Sequence, residues 1–353
     1  MDSLFGIPLT SILVGLLALL AGAFAILGWV AWRNPLLVRM GLRNIARRRA
    51  QTTLIVVGLM LSTLIISAAF ATGDTVGYSV TNDIYNSFEE VDFIIGADSG
   101  GIAGPNGPSA ISDDLLSDQF LAALTAEFAG NADVDGVTGI LLKTLPVVHE
   151  QRQLSEPRSS FVGIDPETAE SFHGLSTPGG VPVSTGALQG DRVYITERLA
   201  EAVDAGPGSR LTVFFENQPH EVTVIQIVRD TSLTSAVAGP GERFGGMVIH
   251  IDAARELINE PEGVTFIAVS ALGGTRDSSE FSDGVHGRLE LFIEAHPEAA
   301  ADIVLTKQEI VALGELIGSI FVTIFLIFGL FSIAAGLMLI FLIFIMRAAE
   351  RRS

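Results

Sequence analysis

Three long stretches of this chain, Ser3 to Trp32, Ala50 to Gly73 and Leu316 to Met346, contain no Asp, Glu, Lys or Arg. Each exceeds the roughly 20 apolar residues that cross a bilayer as a helix. In lipid every backbone polar group must be satisfied internally, which a helix does within one segment. The pattern predicts three transmembrane helices. Between the second and third, Asp74 to Gly314 has mixed composition and the length of one large domain or two small ones.

Charge placement orients these spans. Arg33, Arg39, Arg43, Arg47, Arg48 and Arg49 lie between the first two with no acid among them, and Arg347, Arg351 and Arg352 follow the third. Basic flanks stay cytoplasmic. The N-terminus is then extracytoplasmic, the first span runs inward, the second outward and the third inward. Residues 74–314 hold 37 of the 40 acidic residues but only 12 of the 21 basic ones, a net charge of −25. Such a surface is solvated and repels nucleic acid and anionic lipid.

The first apolar run is a poor cleavable signal. Ala21, Ala23 and Ala25 have suitable spacing, but no basic region precedes the run and positive charge follows it. Trp29 and Trp32 sit beside Arg33, at the headgroup level of a retained helix. Beyond Pro35, Arg39, Arg43 and Arg47 recur every four residues, with Val38, Leu42 and Ile45 on another side. Two readings fit: an amphipathic helix at the cytoplasmic surface, or an ordinary basic stop.

The chain divides into an additional N-terminal span (1–33), a cytoplasmic basic segment (34–51), a span (52–73), an extracytoplasmic α+β domain (74–314), a third span (315–346) and a cytoplasmic end (347–353). The second span is expected to continue outward toward Phe88, since no Pro intervenes and Val76, Val80, Ile84 and Phe88 repeat every four residues. Good helix formers from Gln308 to Leu316 predict a matching stalk before the third. Strands are expected at Val91–Ala97, Val137–His149, Ser160–Gly163, Arg192–Ile195, Arg210–Glu216, Glu221–Val228, Met247–His250 and Val264–Ser270. Helices are expected at Asp113–Phe128, capped by Ser112 or Asp113, and at Glu197–Ala202, Ala253–Ile258 and Ser278–His296. Gly- and Pro-rich runs at Ser99–Ser109 and Thr177–Gly190 read as mobile loops.

Chemical motifs are sparse. Asn131, Asp133, Asp135 and Gly136 copy half of an EF-hand loop, but Leu142 stands where the bidentate Glu belongs, so a polar turn is expected. The six histidines show no metal spacing and read as scattered surface residues, and there is no cysteine. The string Gly96 to Gly100 puts Asp98 at the nucleophile position of a hydrolase elbow. The chain's two lysines, Lys143 and Lys307, do not follow glycine, so there is no phosphate-binding loop. No enzyme activity, metal or cofactor is expected, and any ATP hydrolysis would occur on a partner. Small-residue pairs in the spans (Ala18 and Gly22, Gly58 and Ser62, Ser332 and Gly336) permit close helix packing. The lack of ionisable groups there disfavours ion-coupled transport.

Gly41-Leu-Arg-Asn-Ile-Ala-Arg-Arg-Arg49, followed by Thr52 to Gly58, resembles the N-terminal signature of FtsX/MacB/LolC-type ABC transporter permeases. Phe161-Val-Gly-Ile-Asp-Pro166, Arg192 to Ala200, Gly206-Pro-Gly-Ser-Arg-Leu-Thr-Val213 and Glu221 to Val228 are similar, in that order, to segments of the MacB-like periplasmic domain, with Ser209 where an Asp is usual. Arg347-Ala-Ala-Glu-Arg-Arg352 resembles the start of the cytoplasmic coupling segment. The resemblance implies an extracytoplasmic MacB-like α+β domain in a multi-pass protein of the inner or plasma membrane. It also implies a separate ABC ATPase subunit, a second permease copy or half, and Arg347, Glu350, Arg351 and Arg352 as candidate ATPase contacts. The basic segment Arg39, Arg43, Arg47, Arg48 and Arg49 would meet the bilayer. The span at 7–32 lies outside the family's four-helix core and two further core helices are expected after Ser353, so the chain reads as a fragment. Function would be export or extraction of a lipophilic substrate or lipoprotein, or mechanotransmission. Competing readings are a membrane sensor with an extracytoplasmic ligand domain and an FtsX-like activator of a cell-wall hydrolase, the latter with an extracytoplasmic protein partner.

Overall fold

A computed structural model describes residues 49–97, 114–172, 175–239 and 242–320 continuously, with scattered positions near both ends. The chain divides into two compact units, one formed by Met1–Val80 with Gly314–Ser353 and the other by Thr81–Leu313.

In the first unit α1 begins; it is continuous over Arg49–Phe88, as the uninterrupted pattern through Phe88 predicts. Val56, Val57, Met60 and Leu64 are about half exposed or more. Arg33 lies over the Trp29 ring, 5.3 Å from its centroid. Many side chains in the apolar run of α1 fall outside the described residues, and among the described residues no helix is long and apolar enough to cross a membrane.

The second unit is an α+β domain. Its elements are β1 (Phe93–Ala97), α2 (Asp118–Phe128), β2 (Val134–His149), β3 (Leu154–Ile164), β4 (Arg192–Thr196), α3 (Glu197–Val203), β5 (Arg210–Phe215), β6 (Gln218–Val228), β7 (Gly246–His250), α4 (Ile251–Leu257), β8 (Phe266–Ala271), α5 (Ser279–Ala295) and β9 (Ala301–Thr306). Residues 307–320 continue as a helix, α6. One sheet runs β9-β1-β8-β2-β3-β7-β4-β6-β5, and β5 returns to pair with β2. Six strands from β2 to β5 thus close a ring, while β9, β1 and β8 form an open, antiparallel wing on the first half of β2. Ile140 is the switch point, paired with Phe266 of the wing and Ile164 of the ring.

Side chains alternate across a strand, and the wing shows the consequence. Phe93, Ile95 and Ala97 enter one apolar core and Ile94 the other. The first core packs α2, α3, α4 and α5; the second takes in Phe88 and Val91 at the end of α1.

Family-like strings have local physical reasons. Gly163 faces α4, where an added Cβ would come 2.7 Å from that of Ala254. Asp165 then caps the short helix Pro166–Ala169, its Oδ1 accepting the Glu167 N–H. Thr196 similarly caps α3, accepting the Leu199 N–H. At the Gly206–Ser209 turn, the Ser209 hydroxyl accepts the Gly206 N–H at 3.1 Å, so serine can hold this turn. The EF-hand-like string is a polar turn, with Asn131 Oδ1 accepting the Asp133 N–H before β2 begins.

Three expectations change. Helix α2 begins at Asp118 with Ser117 as its cap, not near Asp113; Leu116 is held extended by exchanging backbone hydrogen bonds with Val264. The Thr177–Gly190 segment is folded: Leu175–Ser176 pairs with Pro182–Val183, and Leu175 and Leu188 are buried in the second core. His149 is buried rather than superficial, its Nδ1 2.8 Å from the Val203 carbonyl oxygen. The Ser99–Ser109 loop lies outside the described residues.

Candidate functional site at the end of the long helix

The last turn of a helix leaves carbonyls without partners, and α1 has no basic residue in that turn. It stops at Glu89, whose φ of 48° leaves the helical path. The free carbonyls are met mainly from distant parts of the chain. Ser87 O accepts the Ser232 N–H at 2.8 Å and Arg243 Nη2 at 3.3 Å; Phe88 O accepts the Val91 N–H and the Ser232 hydroxyl; Glu89 O accepts Lys307 Nζ at 2.8 Å. Cations at this position also suit the negative end of the helix dipole.

Lys307, the first residue of α6, sits beside Asp92, the residue before β1. Its ammonium lies 2.8 Å from Asp92 Oδ1 and also donates to the carbonyls of Glu89 and Thr275. All three ammonium hydrogens therefore have acceptors. Asp92 is equally well met: Oδ1 accepts the Ser278 hydroxyl at 2.7 Å and Oδ2 the Ala271 N–H at 2.8 Å. The side chains are only 4% and 3% exposed. A buried charge is tolerable when paired and hydrogen-bonded in this way, and removing one partner costs about 3–5 kcal/mol.

Arg243 makes the second grip. It lies on a small hairpin (Val237–Gly239 with Glu242–Arg243), and its Nη1 donates to the Thr231 and Ser235 carbonyls while Nη2 reaches Ser87. Burial lowers its pKa to about 10, with Asp230 acting in the opposite direction, so it remains cationic at neutral pH. Beside it, Arg229 Nη1 lies 3.2 Å from Glu89 Oε1. Burial nevertheless raises the Glu89 pKa, Arg229 offsetting part of that effect. On the outer side, Arg276 donates to Asn82 Oδ1 and lies 5.0 Å from the Tyr85 ring centroid. Asp92 and Lys307 thus tie together α1, β1, β8, the Thr275–Ser278 turn and α6.

Arg347, Glu350, Arg351 and Arg352, and Arg39, Arg43, Arg47 and Arg48, fall outside the described residues; Arg49 opens α1. Asp92, Arg243 and Glu89 were not singled out, and Lys307 was noted only for lacking a preceding glycine. One signal was available: Asp92 interrupts the apolar run Val91 to Ala97, and a charge there needs a buried partner.

No known protein family's profile matches the chain, and no curated protein matches it. Among solved structures it is similar to the periplasmic region of MacB from Actinobacillus actinomycetemcomitans, with 17% identity over 62% of this chain and 89% of that one and a TM-score of 0.41. It is also similar to the extracellular domain of the ABC-type transporter YknZ from Gram-positive bacteria (12% identity, 55% and 94% covered, TM-score 0.34). A domain of a permease protein from Porphyromonas gingivalis is a third (15% identity, 60% and 86% covered, TM-score 0.34).

Proposed function

We propose that this chain is a permease subunit of an ABC transporter of the FtsX/MacB/LolC type, without catalytic activity of its own. A separate ATPase drives it, and the second unit moves as an extracytoplasmic body on the helices α1 and α6. The result is export or extraction of a lipophilic substrate or lipoprotein, or transmission of force to the cell exterior. The observation that carries this reading is the Asp92–Lys307 pair, which fastens the start of α6 to the end of α1 with both side chains buried. A helix that is to move a domain needs a joint stiffer than a loop, and this joint has no loop on either side: three residues separate Phe88 from Asp92, and Lys307 directly follows β9.

Membrane insertion is supported by composition and by exposure. The charge-free runs end in arginines on the side assigned to the cytoplasm, and Leu316, Ile317 and Ile320 of α6 are exposed. A row of large apolar side chains in water is unfavourable, whereas in lipid it is the expected surface.

Affinity purification of the full-length protein from its native membrane tests the reading. Recovery of an ABC ATPase is expected. Its absence, with the membrane-embedded protein intact, would sink the proposal; recovery of a kinase or a cell-wall hydrolase instead would support the sensor or activator alternatives.

A further inference from the structure

A second site lies away from the joint. An open cleft of about 900 Å³ is bounded by α2, by the N-terminal end of α4 and by the segments Asp165–Thr168 and Gly186–Gln189, with β2 as its floor. The accessible inner wall is apolar and small, Leu121, Ala122 and Ala126 of α2, with Val137 and Leu188 buried behind it. Its rim is acidic on three separate elements, through Asp118 of α2, Asp165 and Glu167 beside the short helix, and Asp252 of α4.

The one arginine or lysine in the lining, Arg255, is already engaged. Its Nη2 lies 2.6 Å from Asp118 Oδ1 and donates also to Gly263 O. Asp118 is thereby neutralised, which leaves Asp165 and Glu167 as charge at the rim, with Asp252 held only by long ion pairs. Glu167 is exposed, the Asp252 side chain is 77% exposed, and the nearest bases to Asp252 are His250 at 3.8 Å and Arg255 at 3.9 Å. A cleft with an apolar wall and carboxylates on other elements complements a ligand that has an apolar side and more than one positive charge.

We propose that this cleft docks a basic, amphipathic segment of a partner polypeptide. Its apolar side chains would lie along Leu121, Ala122 and Ala126 and its lysines or arginines would meet Asp165, Glu167 and Asp252. The net charge of −25 on residues 74–314 raises the local concentration of such a partner. The inference stands on the domain alone and does not depend on the transport reading.

The full chain in nanodiscs of zwitterionic lipid, with empty nanodiscs as the blank, is titrated into a short fluorescein-labelled peptide of lysine and leucine at physiological ionic strength. Saturable binding is expected. The triple variant Asp165→Asn, Glu167→Gln, Asp252→Asn should weaken it about tenfold, the combined loss of three partly exposed pairs; asparagine at 165 keeps the helix cap. The variant Glu280→Gln with Glu294→Gln, on α5 away from the cleft, should bind like the parent. No binding above the blank, or equal weakening by both variants, overturns the proposal. So does full displacement of the peptide by an equal concentration of phenethylamine, which would assign the cleft to small amines.

Discussion

Lys307 Nζ and Asp92 Oδ1 are 2.8 Å apart, and the backbone N–H of Lys307 also donates to the Asp92 carbonyl at 2.8 Å. The same two residues are thus joined twice, once by charge and once by the peptide chain. Lys307→Met leaves the Asp92 carboxylate buried with two hydrogen bonds and no counter-charge. A loss of about 3–5 kcal/mol in denaturant unfolding of the full chain is expected. Asp92→Asn combined with Lys307→Met should lose clearly less than Lys307→Met alone, because no unpaired charge is left. Equal losses would show that the pair contributes through packing only.

Arg243→Lys tests the second grip. One ammonium replaces a planar fork that bonds Thr231, Ser235 and Ser87 together. Loss of charge-assisted bonds predicts destabilisation of about 1–3 kcal/mol. Hydrogen exchange should locate the loosening at Tyr85–Glu89, the end of α1, rather than in the ring.

Glu89 predicts a pH dependence. Its pKa is raised above 4.5 by burial, so the folded state holds its proton more tightly than the unfolded one. Its favourable contribution is complete below about pH 4.5 and is lost as pH rises through the raised value. The stability difference between the parent and Glu89→Gln should therefore shift against the parent across that window and be flat above it. A difference independent of pH would remove burial as the cause.

Gly246→Ala should be severely destabilising. A Cβ there would lie 1.9 Å from the Thr234 carbonyl oxygen, and Gly246 N–H also donates to the Thr196 hydroxyl. Overpacking against backbone typically costs about 1–3 kcal/mol, and this contact sits at the upper end. Because Gly246 follows the hairpin that carries Arg243, thermal unfolding and protection at Ser87 should fall together.

Much of the fold was legible because local signals and tertiary packing agree. The strands from Val137 to His149 and Arg192 to Ile195 are β-branched or apolar runs, and the ladders extend them by only a few residues. The error at Asp113 has a different origin. Ser117 and Asp118 offer as good a start, and only the long-range pairing of Leu116 with Val264 selects it. β9 escaped notice because Ala301 to Thr306 is a short run between helices, made a strand by its pairing with β1. The joint was illegible for the same reason: Lys307 meets Glu89 across 218 positions, a distance over which periodicity carries no information.

The ladder between β1 and β9 starts at the pair Phe93 and Thr306, so the chain comes into the domain and goes out of it on the same rung. Drawing α1 and α6 apart would open this ladder like a zipper, one hydrogen-bonded pair at a time, the geometry in which a sheet resists least. Drawing them the same way puts no relative force across the rungs. The Asp92–Lys307 pair lies just outside the first rung, at the place where a tear would begin. A force that separates Phe93 from Thr306 would have to break this buried pair before it reached the ladder.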